Sequence, residues 1–243
     1  MNPTPFLSII IPAHNEESRL PAALDKLAAY LADRSLSAEV LVVENGSTDH
    51  TLALAQEYAA DHPWLRVIQE ERSGKGRAVQ RGVLAAQGAY RFIADVDFSM
   101  PVEQIDRFIP PQLPEFDIAI ASREAAGAVR YDEPPYRHFI GRVFNSLVRV
   151  LALPGLQDTQ CGFKCFRGEV AERIFPLQTV MGWTFDVEVL FIARRHGYRI
   201  VEIGIPWYHD RYSKVRVFKD SLKMGLDLLS IRWNGLRGRY DPK

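Results

Sequence analysis

Four short apolar runs, each separated from the next by a stretch with helical spacing, fix the first half of this chain as an alternation of strand and helix. The runs cover residues 6–11, 39–43, 65–68 and 90–94. Between them, Leu24, Leu27, Ala28 and Leu31 share one helical face, Leu52, Ala55 and Ala59 share another, and residues 79–86 form a third helix. Pro21 is placed to sit in the first turn of the first helix. Strands that read as continuous apolar runs and are joined by helices belong in a mostly parallel sheet covered on both faces, so the expected fold class is α/β.

In such a sheet, ligands bind beyond the carboxyl ends of the strands. The polar clusters fall there, at residues 12–17, 44–49, 73–77 and 95–99. The most informative is Asp95-Val96-Asp97, closing the fourth run. Two acids one residue apart at the lip of a sheet suit Mg²⁺ or Mn²⁺, which takes oxygen ligands and sits between carboxylates and a substrate diphosphate. Taken alone, the pair equally fits strand-end acids in a solvated turn.

Gly74-Lys75-Gly76 reads as a flexible loop whose glycines admit a ligand close to the backbone while Lys75 faces a diphosphate. It lacks the Walker spacing and the following Ser or Thr, so it is not a P-loop. Ser99 and Pro101 read as the cap and first-turn proline of the next helix. Glu16 and Glu17 also suit a helix N-terminus, Asp49 suits a helix cap, and Arg81 suits a solvated face.

With 243 residues, 47% of them apolar, the chain has enough material for one domain spanning 1–243. Lys plus Arg and Asp plus Glu are both 30, which gives no overall pull toward nucleic acid. Basic residues do cluster in the tail, residues 211–243. Cys161 and Cys165, with no supporting His or Cys pair, fit reduced, partly buried thiols of a cytoplasmic protein better than a zinc site. No apolar stretch reaches the ~20 residues that span a bilayer, and no signal-type segment marks the chain for secretion.

The order of motifs resembles a known family. Ser8-Ile-Ile-Ile-Pro12-Ala-His-Asn15-Glu16-Glu17, Glu44-Asn45-Gly46-Ser-Thr-Asp49, Gly74-Lys75-Gly76 and Asp95-Val96-Asp97 follow the sequence of motifs in the family-2 glycosyltransferases, which have the Rossmann-like GT-A fold. Asp158-Thr-Gln-Cys161-Gly-Phe-Lys164, Phe185-Asp186-Val-Glu188 and Trp207-Tyr-His-Asp-Arg-Tyr-Ser213-Lys214 are similar to the branch that makes dolichyl-phosphate sugars, in particular the glucosyltransferases. The likeness runs over residues 6–231.

The resemblance implies an inverting, Mg²⁺- or Mn²⁺-dependent transfer of a hexose, glucose from UDP-glucose, to dolichyl or another polyprenyl phosphate. GDP-mannose as donor, a hydroxyl acceptor, and a catalytically silent nucleotide-sugar-binding module are the alternatives. Pro12, Glu16, Glu44, Gly46, Lys75 and Asp95 would bind the donor. Asp97 would be the first metal ligand, with Asp95 sharing the ion or contacting ribose. Glu44-Asn45 stands where related enzymes often carry Asp-Asp, which leaves uracil and guanine both open.

Arg123, Arg137, Ser213 and Lys214 would hold the acceptor phosphate, with Arg142, Arg211 and Arg216 as secondary candidates. Asp97, Arg123, Asp158 and Asp186 would serve the chemistry. A phosphate acceptor needs no general base; a hydroxyl acceptor would draw on Asp158 or Asp186. Asp186 and Glu188 would line the donor sugar beside a stacking Trp183, unless Trp183, Phe185, Val187 and Leu190 are simply core positions.

The donor half is thus 1–115, the acceptor half 116–216, and a basic amphipathic helix occupies 217–243. Leu222, Leu226, Leu229 and Trp233 of that helix lie at helical spacing near Lys219, Lys223, Arg232, Arg237 and Arg239. This stripe either lies on a membrane or packs on the body of the protein. Packing is the expectation, with peripheral contact at the cytoplasmic membrane face around it. The membrane segments that related enzymes carry at one end are not seen in this sequence.

Overall fold

The computed structural model describes residues 4–210 and 217–241, without the side chains of residues 217–221. Its first half is a regular alternation: β1 (Leu7–Ala13), α1 (Leu20–Ala32), β2 (Ala38–Asn45), α2 (Thr51–Asp61), β3 (Leu65–Glu70), α3 (Lys75–Ala85) and β4 (Tyr90–Ile93). Then follow β5 (Ile118–Ser122), β6 (Val129–Tyr131), α4 (Pro135–Leu151), β7 (Lys164–Arg167), α5 (Gly168–Ile174), α6 (Phe185–Arg195), β8 (Ile200–Gly204), β9 (Pro206–Tyr208) and α7 (Val217–Leu236).

Seven strands form one sheet in the order β3-β2-β1-β4-β7-β5-β8. All neighbours are parallel except β7, which runs antiparallel to both β4 and β5. β6 and β9 pair separately. The mostly parallel α/β sheet expected from the sequence is thus present.

Side chains alternate across a strand, so each strand feeds two cores. Ile10, Leu41, Val43 and Ile93 pack into the layer that contains residues of α3, α5 and α6. Ile9, Ile11, Val40, Val42 and Phe92 pack into the layer with Leu24 and Leu27 of α1. Burial on both faces is why these strands are apolar throughout. Pro21 lies in the first turn of α1, as expected.

Three local expectations are corrected. First, α3 begins at Lys75, so the Gly-Lys-Gly run is largely a helical turn and not a flexible loop. Second, Ser99 caps nothing. The segment beyond Pro101 is a 3₁₀ helix, Val102–Phe108, with no side-chain cap, and the Ser99 N–H donates to Asp97 Oδ1 at 2.9 Å. Phe98 causes this: its φ of 41° turns the chain immediately after the acid pair. A left-handed residue with a Cβ costs about 1–2 kcal/mol. Burying the Phe98 ring beside Phe163, with centroids 6.2 Å apart, contributes a comparable or larger amount, about 1.5–3 kcal/mol.

Third, α7 does not pack its leucine stripe on the body. Leu228 and Ile231 are buried, while Leu222, Leu226, Leu229 and Trp233 face outward. The core contacts come from the opposite face of the helix. No helix of the described residues is long and apolar enough to cross a membrane.

Candidate active site

A cleft of about 1130 Å³ opens at the carboxyl ends of β1, β2 and β4; residues of α4, of segment 179–186 and of α7 form its far wall. Pro12, Glu16, Lys75, Asp95, Asp97, Arg123, Arg137, Asp158, Trp183 and Asp186 all line it.

Asp95 and Asp97 follow β4 directly. Lys75 Nζ, at the start of α3, pairs with Asp95 Oδ1 at 2.6 Å. Burial pushes the Asp97 carboxyl above its usual range, and the neighbouring Asp95 charge adds to this. Burial acts on Asp95 in the same sense but is outweighed by Lys75, which holds that carboxyl below its usual range. Two acids this close, each half-buried, have an affinity for positive charge that one lysine only partly meets. Among the described residues no cluster of three or more His, Cys, Asp or Glu side chains is arranged to hold a metal. An all-oxygen pair of carboxylates therefore fits a hard divalent cation only where a substrate diphosphate completes its shell.

The two glycines beside Lys75 serve protein packing, and Gly74 also lines the cleft. A Cβ on Gly74 would stand 2.6 Å from the Met181 carbonyl oxygen, and one on Gly76 2.7 Å from both the Val180 oxygen and the Phe185 Cβ. Both therefore seat α3 against segment 180–185. That segment brings Trp183 to the cleft, with Lys75 Nζ 5.4 Å from its ring centroid. Phe185, Val187 and Leu190 are core positions, whereas Trp183 lines the cleft.

Glu16 is held by both of its oxygens to Arg19, at 2.7 and 2.8 Å, and Arg19 in turn pairs with Asp210. Glu44 and Gly46 do not line the cleft. Glu44 is buried and accepts the Ser47 N–H, bracing its own turn, and Gly46 (φ 70°) is the left-handed residue of that turn. Asn45 takes their place at the cleft wall, its carbonyl 2.8 Å from His14 Nδ1. Asp49 accepts the Thr51 N–H at 3.0 Å within a local turn, but the residue preceding α2 is His50 and no side chain caps the helix, so the cap expected at Asp49 is not formed.

Elsewhere the cleft lining carries Arg123, Arg130 and Arg137 interleaved with Glu124, Glu133 and Asp158. Arg123 clasps Asp158 with two side-chain bonds, 2.7 and 2.9 Å, and its backbone N–H adds a third at 3.0 Å. Burial would raise the Asp158 carboxyl, but Arg123 outweighs it and holds it at about 2. A carboxylate so weakly basic and fully engaged is no general base, which corrects that expectation; it orients Arg123. Arg123 and Arg130 lie over Trp207, 5.4 and 5.8 Å from its ring centroid. Arg130 is shared between Glu124 and Glu133, and Arg142 also pairs with Glu124 and does not line the cleft. Arg137 faces the cleft and forms no ion pair among the described residues. Ser213, Lys214, Arg211 and Arg216 lie outside the described residues.

Asp186 pairs with Lys164 Nζ at 2.8 Å, and burial raises its carboxyl by more than Lys164 lowers it. Lys164, which sequence reasoning did not select, is only 1% exposed and also donates to the Cys161 carbonyl. Glu188 is not in the sugar pocket. It is fully buried, where it accepts bonds from Thr179 N–H and Oγ1, Val180 N–H and the Tyr240 hydroxyl at 2.6–2.8 Å. It braces the segment that carries Trp183. Both cysteines are fully buried, deeper than expected, and burial pushes the Cys161 thiol up to about 12.

A Rossmann-like half that ends in Asp-x-Asp and shares its sheet with an antiparallel strand from the second half is the GT-A arrangement of glycosyltransferases. The chain belongs to glycosyl transferase family 2, whose model matches residues 8–175. It is 33% identical to the dolichyl-phosphate beta-glucosyltransferase of Dictyostelium discoideum, over 98% of this chain and 77% of that protein. With the human dolichyl-phosphate beta-glucosyltransferase it shares 34% identity, over 98% of this chain and 78% of the relative. Glucosyl-3-phosphoglycerate synthase from Mycobacterium tuberculosis, solved with UDP, superposes with a TM-score of 0.69 at 20% identity, over 94% of this chain and 80% of that one. The same synthase with Mn²⁺, UDP-glucose and phosphoglyceric acid gives 0.69 at 19% identity, again over 94% and 80%. At these identities the likeness concerns the fold.

Proposed function

We propose that this enzyme transfers glucose from UDP-glucose to dolichyl or another polyprenyl phosphate, with inversion at the anomeric carbon. The observation that carries this reading is the set of arginines in the cleft. Asp95 and Asp97 stand in one part of the lining; in another, Arg123 and Arg130 are held by Asp158, Glu124 and Glu133, while Arg137 forms no ion pair among the described residues. An acceptor that is itself an anion explains why cations gather in a cleft that also receives a diphosphate. The relatives named dolichyl-phosphate beta-glucosyltransferase support the glucosyl group and the acceptor, and the UDP-glucose bound by the synthase of like fold is consistent with the donor. The donor binds in the half formed by 1–115 and the acceptor in the half formed by 116–216.

Asp97, with Asp95, would hold Mg²⁺ or Mn²⁺, which when bound neutralises charge on the departing diphosphate. Lys75 turns from Asp95 toward the same phosphates, and Trp183 stacks on the glucose. Arg137 and Arg123 orient the acceptor phosphate, Asp158 fixing the Arg123 guanidinium through its Nε and Nη2. An acceptor oxygen attacks the anomeric carbon as the bond to the diphosphate oxygen breaks, and UDP leaves. The phosphate monoester is already ionised near neutral pH, so no proton has to be removed.

The test is a transfer assay with labelled UDP-glucose or GDP-mannose and dolichyl phosphate in detergent, with EDTA and Asp97→Asn as controls. Label from UDP-glucose should enter the organic phase and be lost in both controls. Metal-dependent donor hydrolysis without a lipid product would overturn the acceptor. It would favour a hydroxyl acceptor with Asp186, whose raised carboxyl lines the cleft, as base.

A further inference from the structure

Fourteen large apolar side chains are exposed among the described residues, and ten of them lie on just two helices, α4 and α7. On α4 they are Tyr136, Phe139, Val143, Leu147 and Val150, spaced by three or four residues, with Phe139 69% and Val150 81% exposed. On α7 they are Leu222, Leu226, Leu229, Trp233 and Leu236, again by threes and fours, with Leu222 and Leu236 both 73% exposed. At helical periodicity each set is one narrow stripe. The two helices pack against each other. Each turns its other face inward: Phe144 and Val148 of α4, with Leu228 and Ile231 of α7, belong to one core. Both stripes are therefore surplus to folding, and a patch this large marks an interaction surface.

Charge selects the partner. The 17 residues of α4 contain no Asp or Glu; of its arginines Arg137 turns to the cleft and Arg142 pairs with Glu124, which leaves Arg149 exposed and without an ion pair among the described residues. On α7 and the turn beyond it, Lys223, Arg232, Arg237 and Arg239 are exposed, whereas Asp227 is drawn inward by the Thr184 hydroxyl at 2.8 Å. Trp233 lies within its stripe, with the Arg237 guanidinium 4.5 Å from its ring centroid. An apolar stripe bordered by cations, with an amphipathic Trp beside them, matches the boundary between acyl chains and anionic headgroups.

We propose that α4 and α7 together form the face by which this enzyme docks on an anionic bilayer. The cleft runs between their inner sides, since Ile140 and Phe144 of α4 and Lys223, Met224 and Asp227 of α7 line it. An acceptor whose tail stays in the bilayer then needs only to raise its phosphate between the two helices to reach Arg137. The orientation rests on the lipid-phosphate reading above; the docking itself does not.

The experiment is co-sedimentation of the full chain, with no donor or acceptor present, on vesicles of phosphatidylcholine alone or mixed with phosphatidylglycerol. The chain should pellet with vesicles, more so with phosphatidylglycerol and less at high salt. Phe139→Glu with Val150→Glu, and separately Leu226→Glu with Leu229→Glu, should each weaken binding by about tenfold or more. Both variants should keep the wild-type melting temperature and transfer to a short, water-soluble isoprenyl phosphate. A wild-type chain that stays in the supernatant, or variants that pellet as it does, would overturn the proposal. So would a wild-type dimer in solution that these substitutions dissociate while vesicles bind neither. A chain that docks but glucosylates no lipid phosphate would keep the face and sink the acceptor.

Discussion

Gly162 touches Asp95: a Cβ built on the glycine would overlap the Asp95 carboxylate. The loop between Asp158 and β7 is thereby pressed against the acid pair.

Gly162→Ala must push Asp95 aside. Overpacking of this kind costs about 1–3 kcal/mol, which the protein survives. Displacing an active-site group by about an ångström costs on the order of 100-fold in rate. The variant should therefore melt a little below the wild type and lose about two orders of magnitude in glucosyl transfer. Rates close to wild type would show that Asp95 tolerates the shift.

Lys164 is the buried partner of Asp186. Lys164→Met leaves a buried carboxylate without its cation and should cost about 3–5 kcal/mol in urea unfolding. Adding Asp186→Asn to the same chain should restore part of that loss. Simple additivity of the two changes would show that the pair is not coupled.

Asp158 ties stability to acid. Its carboxyl lies at about 2 in the folded protein against an ordinary value of 3.8, so the unfolded chain takes up its proton first as pH falls. The stabilisation is complete above the ordinary value and fades as pH drops through the folded one, in all about 2 kcal/mol. Urea midpoints measured above and below that window should differ for the wild type by this contribution. Asp158→Asn should be less stable at neutral pH and lose this component of the pH dependence.

Arg137 tests the acceptor end. Replacing it with Ala should raise KM for dolichyl phosphate by about tenfold or more, the scale of one charge-assisted hydrogen bond. Metal-dependent hydrolysis of UDP-glucose should continue unchanged. Equal loss of hydrolysis and transfer would place Arg137 with the donor.

The strands of the first half were legible because burial on both faces leaves an unbroken apolar run, as in residues 39–43. Lys75 was misplaced into a loop because its two glycines signal freedom locally, while their actual use, seating α3 on Met181 and Val180, depends on contacts about 100 residues away. Lys164 escaped notice for the same reason. Nothing in a run of Phe and Cys shows that Asp186 waits across the core. The cleft's acids and arginines were readable as residue types, but the Arg123–Asp158 clasp, 35 positions apart, belongs to the fold. The outward stripe of α7 was visible as a period, and its direction was not, since the core residues Leu228 and Ile231 occupy the opposite face of the same helix.

β7 hydrogen-bonds to β4 on one side and to β5 on the other, stitching the two halves into a single sheet. The second half therefore cannot be exchanged between relatives as a cassette: a chimera joined near residue 116 would have to match a foreign strand, side by side, to both neighbours. Divergence within such an architecture is confined to loops and to the outward faces of helices. New acceptors must be reached by small changes there, with the seam left intact.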